Sequence, residues 1–196
     1  MEIKLYHGSG SLFKIPYTYM SVFGSPSDGV GFHCCNYEED VREYWLNGDV
    51  MYIYEYILSP RSILHRKVDK DLAMELTASV KTVGSETRPS EFAQSYWSNT
   101  AMKTFIENTL SPGMITSSFL FYLAKRCEDI SLVCRTLSRM GYSHYIDEIA
   151  DERGGHYHFI IFDANDLRVN KITQVMNSKG GLELDITDAV MKQLIV

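Results

Sequence analysis

The sequence predicts an α+β fold built around an antiparallel or mixed β-sheet. Polar and apolar residues alternate over residues 2–7 and, most clearly, over residues 50–58, as half-buried strands require. Residues 69–140 instead carry helix-start and helix-stop signals. Strand-like patterns return after Gly141. Strands on either side of a separate run of helices are typical of the α+β class.

The predicted elements of the first sixty residues follow from these signals. In chain order they are a strand at residues 2–7, a loop rich in Gly, Ser and Pro at residues 23–31, a strand at residues 32–35, a helix at residues 37–46 and a strand at residues 50–58. Asn36 is the expected N-cap of the helix, because its side chain can accept a hydrogen bond from the first turn. Tyr52, Tyr54 and Tyr56 fall on one face of the last strand, which we expect to be half buried.

The middle of the chain is expected to form several short helices. Residues 84–89 interrupt the helical pattern with Gly and Pro, which favours several short helices over one long helix. Ser111-Pro112 is the expected N-cap and first residue of one helix, and Glu128-Asp129 is the expected acidic start of the next.

A β-hairpin is expected after the helices. The predicted elements are strands at residues 145–149 and 157–162, a turn at residues 151–155, a helical turn near residue 165 and an edge strand at residues 182–186.

Composition and charge narrow the functional classes. At 196 residues, with 45% hydrophobic and 22% charged residues, the chain is expected to form one globular domain over residues 1–196. It has no apolar run long enough to cross a bilayer and no signal-peptide pattern at its start, so we expect a cytoplasmic location. A net charge of −6 makes nucleic acid an unfavourable partner. The four cysteines form no C-x-x-C pair, so we expect buried reduced thiols and no metal site.

Three motifs follow one another along the chain. The first strand ends in Tyr6-His7-Gly8-Ser9, the second begins with Gly29-Val30-Gly31-Phe32-His33, and Tyr44 follows eleven residues after His33. The later strand begins at His158 and continues Phe-Ile-Ile-Phe-Asp. In this order the motifs resemble those of the histidine-type ADP-ribosyltransferases, the group that contains diphtheria toxin, the poly-ADP-ribose polymerases and small phage and bacterial transferases.

The resemblance implies a fold and a substrate. The fold would be the ADP-ribosyltransferase-like split β-sandwich, with a helical insertion at about residues 69–140 that matches no motif of the family. The substrate would be NAD. The residues expected to bind it are Tyr6, His7, Gly8, Ser9, Phe32, His33, Tyr44 and His158.

The resemblance also implies individual roles. The Gly8 backbone would hold the nicotinamide carboxamide, His7 would hydrogen-bond a ribose hydroxyl, and Ser9 a second polar group of NAD. Tyr44 and His33 would sandwich the nicotinamide ring by offset stacking. Because His7 ends a strand, we expect it to contribute little to packing.

One departure from the family concerns the catalytic glutamate, whose position is occupied by His158. A neutral histidine cannot stabilise the positive charge that develops at the ribose as the nicotinamide bond breaks. Acidic residues lie just before His158 and could supply the missing charge. Because side chains alternate between the two faces of a strand, either Asp147 and Asp151 or Glu148 and Glu152 would share the face of His158, depending on the register.

Of these, Asp151 is favoured, in part because the segment resembles a Gly-Tyr…Asp-Glu-x-Gly-x-x-Tyr arrangement in a small phage anti-CRISPR transferase. Glu148 represents the other register. The expected catalytic residues are therefore His7, Tyr44, Asp151 and Glu148.

The function expected from the resemblance is transfer of one ADP-ribose from NAD to a target protein, as in a phage or bacterial effector such as an anti-defence protein. The alternatives are an NAD glycohydrolase toxin and a catalytically dead module that binds NAD or a partner. A tRNA 2′-phosphotransferase shares the fold but normally needs a basic site, for which this acidic sequence gives no signal. Thr116-Ser117-Ser118 is similar to the Ser-Thr-Ser strand of the arginine-type transferases, but its surroundings predict a helix.

Overall fold

A computed structural model describes residues 2–13, 30–44, 49–148, 154–177 and 180–192, with the backbone alone at Tyr44 and Glu148. The strands are β1 (Ile3–Ser9), β2 (Phe32–Cys35), β3 (Val50–Leu58), β4 (Ser62–Leu64), β5 (Tyr142–Glu148), β6 (Tyr157–Ile161), β7 (Leu167–Met176) and β8 (Leu182–Asp185). The helices are α1 (Glu38–Tyr44), α2 (Lys70–Thr87), α3 (Pro89–Phe92), α4 (Asn99–Thr109), α5 (Thr116–Cys127), α6 (Ile130–Arg139) and α7 (Thr187–Lys192), with 3₁₀ turns at Ser95–Trp97 and Ala164–Asp166. None of the helices in these ranges is both long and apolar enough to cross a membrane.

The strands form one mixed sheet in the order β4-β5-β6-β2-β1-β3-β7-β8. Strands β4 and β5 are parallel, and the other neighbouring pairs of the described sheet are antiparallel. The predicted α+β class with a mixed sheet is confirmed. Among the neighbouring strands of the described sheet, β1 and β2 share the fewest registered positions, a single pair formed by Tyr6 and Cys35. On its other side β1 pairs with β3 along its whole length, from Ile3 to Ser9.

Helices α2 to α6 pack on one face of the sheet at its β4-β5-β6 end. Their buried apolar residues form one core with Leu64, Tyr145 and Ile160 of those strands. A second core lies on the opposite face around Leu5, Phe32, Tyr54, Tyr56 and Phe159. A third and smaller core lies under α1, where Val41 packs with Cys35, Met51, Ile53 and Val175. The sheet therefore carries separate cores on its two faces.

The short helices of the middle block begin and end largely where local chemistry predicts. Asp69, Ser98 and Asp129 are N-caps whose side chains accept a hydrogen bond from the first turn of α2, α4 and α6. The predicted break is present, because α2 ends at Thr87 and Pro89 is the first residue of α3. Several short helices in this block were predicted, and they are confirmed.

The prediction that Ser111-Pro112 starts a helix is wrong. Helix α5 begins at Thr116, whose backbone N–H donates to the Arg66 carbonyl at 2.8 Å and whose hydroxyl donates to the His65 carbonyl at 2.5 Å. Contacts with residues distant in sequence thus fix this helix start, and the local Ser-Pro signal does not.

The helix predicted at residues 37–46 is present as α1 (Glu38–Tyr44), and residues 45–46 lie outside the described residues. The prediction that Asn36 caps it is wrong, because the Asn36 amide instead joins two other chain segments. Its Nδ2 donates to the Gly155 carbonyl and its Oδ1 accepts from the Tyr157 N–H, each at 2.8 Å. A tertiary contact competes here with the local cap and replaces it.

Gly31 lies directly before β2, at a position that requires glycine. Its φ of +148° lies outside the range that other residues readily adopt, and an added Cβ would lie 2.7 Å from the Ile161 carbonyl oxygen. Only glycine allows β2 to begin this close to β6.

Candidate functional site

His7 is packed into the sheet at the point where β1 and β2 separate. Its ring lies 4.4 Å from that of Phe32 and 5.5 Å from that of Phe13, centre to centre. It stands across the β1–β3 ladder from Tyr54, on the same face. The expectation that His7 contributes little to packing is therefore wrong, because three aromatic side chains surround its ring.

One hydrogen bond determines which ring nitrogen of His7 carries the proton. Nδ1 lies 2.7 Å from the His33 carbonyl oxygen, which can only accept, so Nδ1 carries the hydrogen and donates it. Burial lowers the pKa of His7, an effect that the bond to His33 partly offsets. The ring is thus neutral at pH 7, and its Nε2 is an acceptor of hydrogen bonds.

The segment after the motif is folded back over His7 and held by one tyrosine. The Tyr54 hydroxyl accepts from the Phe13 N–H at 2.7 Å and donates to the Phe13 carbonyl at 2.9 Å. The Phe13 and Tyr54 rings stack at 4.4 Å. A single hydroxyl thus satisfies both backbone groups of Phe13 and fixes the segment against β3.

Two other motif residues have structural partners in the same region. The Ser9 hydroxyl donates to the Ser11 carbonyl at 2.7 Å, which shapes the turn after β1 and leaves the hydrogen of Ser9 engaged. The Phe32 ring packs against that of His7. Because Phe32 is 0% exposed, it has no accessible surface with which to touch a ligand.

Tyr6 lies on the other face of β1, in the small core under α1. Gly8 pairs with Ile53 of β3. Tyr44 is the last residue of α1, which packs over β1 and β2.

His33 and His158 share the face of the sheet that α1 covers. Cys35 belongs to the core under α1, and His33 is two residues before it on the same strand. His158 stands directly across the β2–β6 ladder from Cys35. The site therefore extends from His7 on one face, through the separation of β1 and β2, to His33 and His158 on the other.

Asp147 stands directly across the β5–β6 ladder from His158. The two residues are registered partners on β5 and β6, and their side chains consequently share a face. The Asp147 carboxylate forms an ion pair of 3.1 Å with Arg66. Glu148 pairs with Tyr157, one position away from His158. Asp151, the favoured catalytic carboxylate, lies outside the described residues.

A buried Asp–His pair that the sequence reasoning missed lies beside this region. His156 Nδ1 is 2.8 and 2.9 Å from the two carboxylate oxygens of Asp40, and both residues are buried. The Tyr37 ring stacks on His156 at 4.3 Å. The contact joins the start of α1 to the start of β6, and Asn36 reinforces it. Because the two residues are 116 positions apart, no local spacing signals the pair.

The cysteines are not part of this site as nucleophiles. Cys34, Cys35, Cys127 and Cys134 are buried free thiols, as the sequence predicted. Burial raises the pKa of Cys35 to about 12 and that of Cys127 to about 11, which keeps both thiols protonated at pH 7. Within the described ranges, no cluster of three or more His, Cys, Asp or Glu side chains is arranged to hold a metal ion.

Comparison of the chain with known protein families, with curated proteins and with solved structures gives no match.

Proposed function

We propose that the protein transfers a single ADP-ribose from NAD to a side chain of a target protein. The observation that carries the proposal is the fixed tautomer of His7 where β1 and β2 separate. A neutral imidazole held by its Nδ1–H offers Nε2 as an acceptor for a ribose hydroxyl. That is the role which the Tyr-His-Gly-Ser motif implies for this residue.

The separation of β1 from β2 supports the split β-sandwich as the finer description of the fold. With one registered pair between these strands, the sheet is close to dividing beside Gly8 and His33. An elongated ligand such as a dinucleotide needs a cleft between elements that a continuous ladder would fill. The Gly8 backbone and the His33 ring would then meet the nicotinamide end, together with Tyr44.

The proposed reaction breaks the bond between the nicotinamide nitrogen and the ribose carbon. The bonding electron pair leaves with nicotinamide, which departs neutral, and positive charge develops on the ribose. A nucleophilic side chain of the target then attacks that carbon and loses a proton. A carboxylate near the ribose would stabilise the charge, and the register of Asp147 with His158 favours Asp147 for this role.

We further propose that the helical block α2 to α6 recognises the target protein in the cytoplasm of the cell. The motifs that resemble the transferase family lie in the strands and α1, whereas this block contributes none of them. Segments carried on a rigid scaffold commonly determine the choice of partner. Charge reversals on its exposed helix faces should reduce target modification and spare NAD binding.

A catalytically dead NAD-binding module is the second candidate function. His158 at the position of the family glutamate favours it, as does the ion pair that already occupies Asp147.

Labelled NAD distinguishes these functions. The pure protein is incubated with NAD labelled in the adenylate half, with and without cell lysate. Label on a discrete protein supports the transferase, and free ADP-ribose without lysate indicates an NAD glycohydrolase. Binding of NAD without turnover in either sample indicates the dead module, and absence of NAD binding contradicts all three.

Variants of Tyr44 provide the matched control for the nicotinamide contact. Stacking needs the ring and not the hydroxyl, so Tyr44→Ala should weaken NAD binding while Tyr44→Phe should retain it. Equal loss in both variants would argue against ring stacking at this position.

A further inference from the structure

Two neighbouring cavities open on the helical block beside α3 and the 3₁₀ turn that follows it. The larger has a volume of about 520 Å³ and is lined by Arg126, and the smaller has a volume of about 420 Å³ and is lined by Lys81. Phe92 and Trp97 line both cavities, and their ring centres lie 4.6 Å apart. The two cavities therefore share an aromatic wall, which places them within reach of one bound segment.

Aromatic rings hold the guanidinium of Arg126 at the wall of the larger cavity. Its central carbon lies 4.7 Å from the centre of the Phe105 ring and 5.1 Å from that of Trp97. Its Nη2 donates to the Tyr96 carbonyl, and its buried Nε has no hydrogen-bond partner in the described part of the chain. Burial lowers the pKa of Arg126. The cation is thus positioned by rings and partly dehydrated, and it keeps N–H donors for a ligand.

The carboxylates around the larger cavity leave Arg126 without a counter-ion. Glu91 lines the cavity but forms an ion pair of 3.0 Å with Arg88, which also pairs with Asp129 at 3.2 Å. Glu128 lines the cavity as well, but neither Glu128 nor Arg126 forms an ion pair with another described residue. A partly dehydrated charge is costly when it is unpaired, so a carboxylate that binds Arg126 would stabilise it.

The smaller cavity also contains an unpaired cation. Lys81 lines this cavity from α2, together with Ser85, Ser95 and Ser98. The Lys81 ammonium makes no ion pair with a carboxylate that the structure describes. Each cavity thus offers one basic side chain that no described carboxylate neutralises, a pattern that complements a ligand with two separate negative charges.

We propose that the two cavities form a docking surface for an acidic segment of the target protein, with one carboxylate side chain in each cavity. The edge of a guanidinium forms two parallel hydrogen bonds with a planar carboxylate, whereas Glu91 and Glu128 would repel the higher charge of a phosphoryl group. Tyr96, which is 41% exposed, and Trp97 accompany Arg126 here, and these three residue types contribute most to binding at protein interfaces. Under the proposed function, this surface is where the α2 to α6 block holds the target.

Binding of pentaglutamate tests the surface without the target. The full chain is titrated by calorimetry with pentaglutamate and with uncharged pentaglutamine, and thermal melts check that each variant is folded. The test variants are Arg126→Gln and Lys81→Gln, which remove one cation each. Lys125→Gln is the matched control, because it makes the same change of charge on α5 at a residue that lines neither cavity. Glu128→Gln removes a negative charge from the larger cavity and should act in the opposite direction.

We expect the native chain to bind pentaglutamate at least tenfold more tightly than pentaglutamine. Arg126→Gln should raise the Kd for pentaglutamate about tenfold, because a charged pair of hydrogen bonds is lost, and Lys81→Gln should raise it about threefold. Lys125→Gln should change the Kd by less than about twofold, and Glu128→Gln should lower it. Because Arg126 also packs against rings, Lys81→Gln and Glu128→Gln decide the outcome if the Arg126 variant does not fold.

Equal binding of the two peptides, or equal binding of pentaglutamate by the native chain and the folded test variants, would overturn the proposal. Tighter binding of a ten-residue oligothymidine than of pentaglutamate would also overturn it, since the surface would then belong to nucleic acid. The outcome is separable from that of the proposed function. Pentaglutamate binding without NAD binding would retain the docking surface and remove the transferase, whereas NAD turnover without pentaglutamate binding would do the reverse.

Discussion

Asp147 and His158 face each other across the β5–β6 ladder, on the same side of the sheet. Histidine thus stands where the motif of the transferases that the sequence resembles has a glutamate, and a carboxylate stands on the neighbouring strand. Under the proposed function, the negative charge needed near the ribose would come from β5 instead of β6. Arg66 holds that carboxylate in place.

Asp147→Asn should lower NAD turnover about a hundredfold or more, the scale seen when one electrostatic stabiliser of a transition state is removed. NAD affinity should change much less, because the ground state needs the charge less than the transition state does. Nicotinamide release gives the rate and calorimetry the affinity. Glu148→Gln is the neighbouring control, and Asp151→Asn tests the carboxylate favoured by the sequence. Full turnover in the Asp147 variant would exclude this role for Asp147.

His7→Phe should abolish turnover and cost less stability than His7→Ala, because the ring contacts with Phe13 and Phe32 are kept while the Nε2 acceptor and the Nδ1–H bond to the His33 carbonyl are lost. His7→Ala should abolish turnover and also lower the free energy of unfolding by about 1–3 kcal/mol, since it removes a packed ring. Denaturant melts measure the stability of each variant. An active His7→Phe variant would contradict the proposed role of the imidazole.

Tyr54→Phe should loosen the segment that follows β1. The change removes the donor and the acceptor that hold Phe13, at a cost of about 1–2 kcal/mol for two hydrogen bonds. Hydrogen exchange at residues 10–13 should become faster, whereas Tyr52→Phe, two residues away on the same face of β3, should leave it unchanged. Equal exchange in the two variants would mean that the stacked rings alone hold the segment.

Gly31→Ala should destabilise the fold by about 2–4 kcal/mol, because the new Cβ meets the Ile161 backbone at a backbone angle that alanine tolerates poorly. Gly141→Ala is the matched control. Gly141 also has a positive φ, of +92°, but nothing lies within 4 Å of the added Cβ. Its cost should stay near 1 kcal/mol. Similar melting of the two variants would show that contact with β6 does not determine the effect.

Stability should fall as the pH drops from about 6.5 to about 4. Burial lowers the pKa of His144 to about 4, so the unfolded chain takes up a proton in this range while the folded chain does not. The loss should reach about 3 kcal/mol near pH 4, and this contribution should be constant above pH 6.5. His144→Phe should flatten the decline, whereas His65→Gln, at an exposed position, should not. An unchanged slope in the His144 variant would assign the acid sensitivity to other groups.

The sequence predicted those parts of the fold that depend on local patterns. The alternation of polar and apolar residues predicted β3 and β6, and Asp129 predicted the start of α6. Strand β7 has no such signal, because polar residues interrupt its apolar ones, and it forms by pairing along the whole of β3. Pairing with a distant strand overrode the weak local pattern.

Local patterns could not predict the geometry of the candidate site. Alternation left open whether Asp147 or Glu148 shares the face of His158, and only the pairing of β5 with β6 gives the register. The bond from His7 to His33 spans 26 residues, and the Tyr54 contact with Phe13 spans 41. Such contacts depend on how the strands are ordered in space, which the sequence alone does not state.

The separate cores on the two faces of the sheet bear on how such a chain can diversify. The buried residues beneath α2 to α6 form a cluster distinct from the one around Leu5, Phe32 and Tyr54. Substitutions that reshape the outer helices during evolution therefore need not disturb the packing that holds His7. Under the proposed function, a lineage could change its helical block, and with it the protein that is modified, while the strands that hold His7 stay the same.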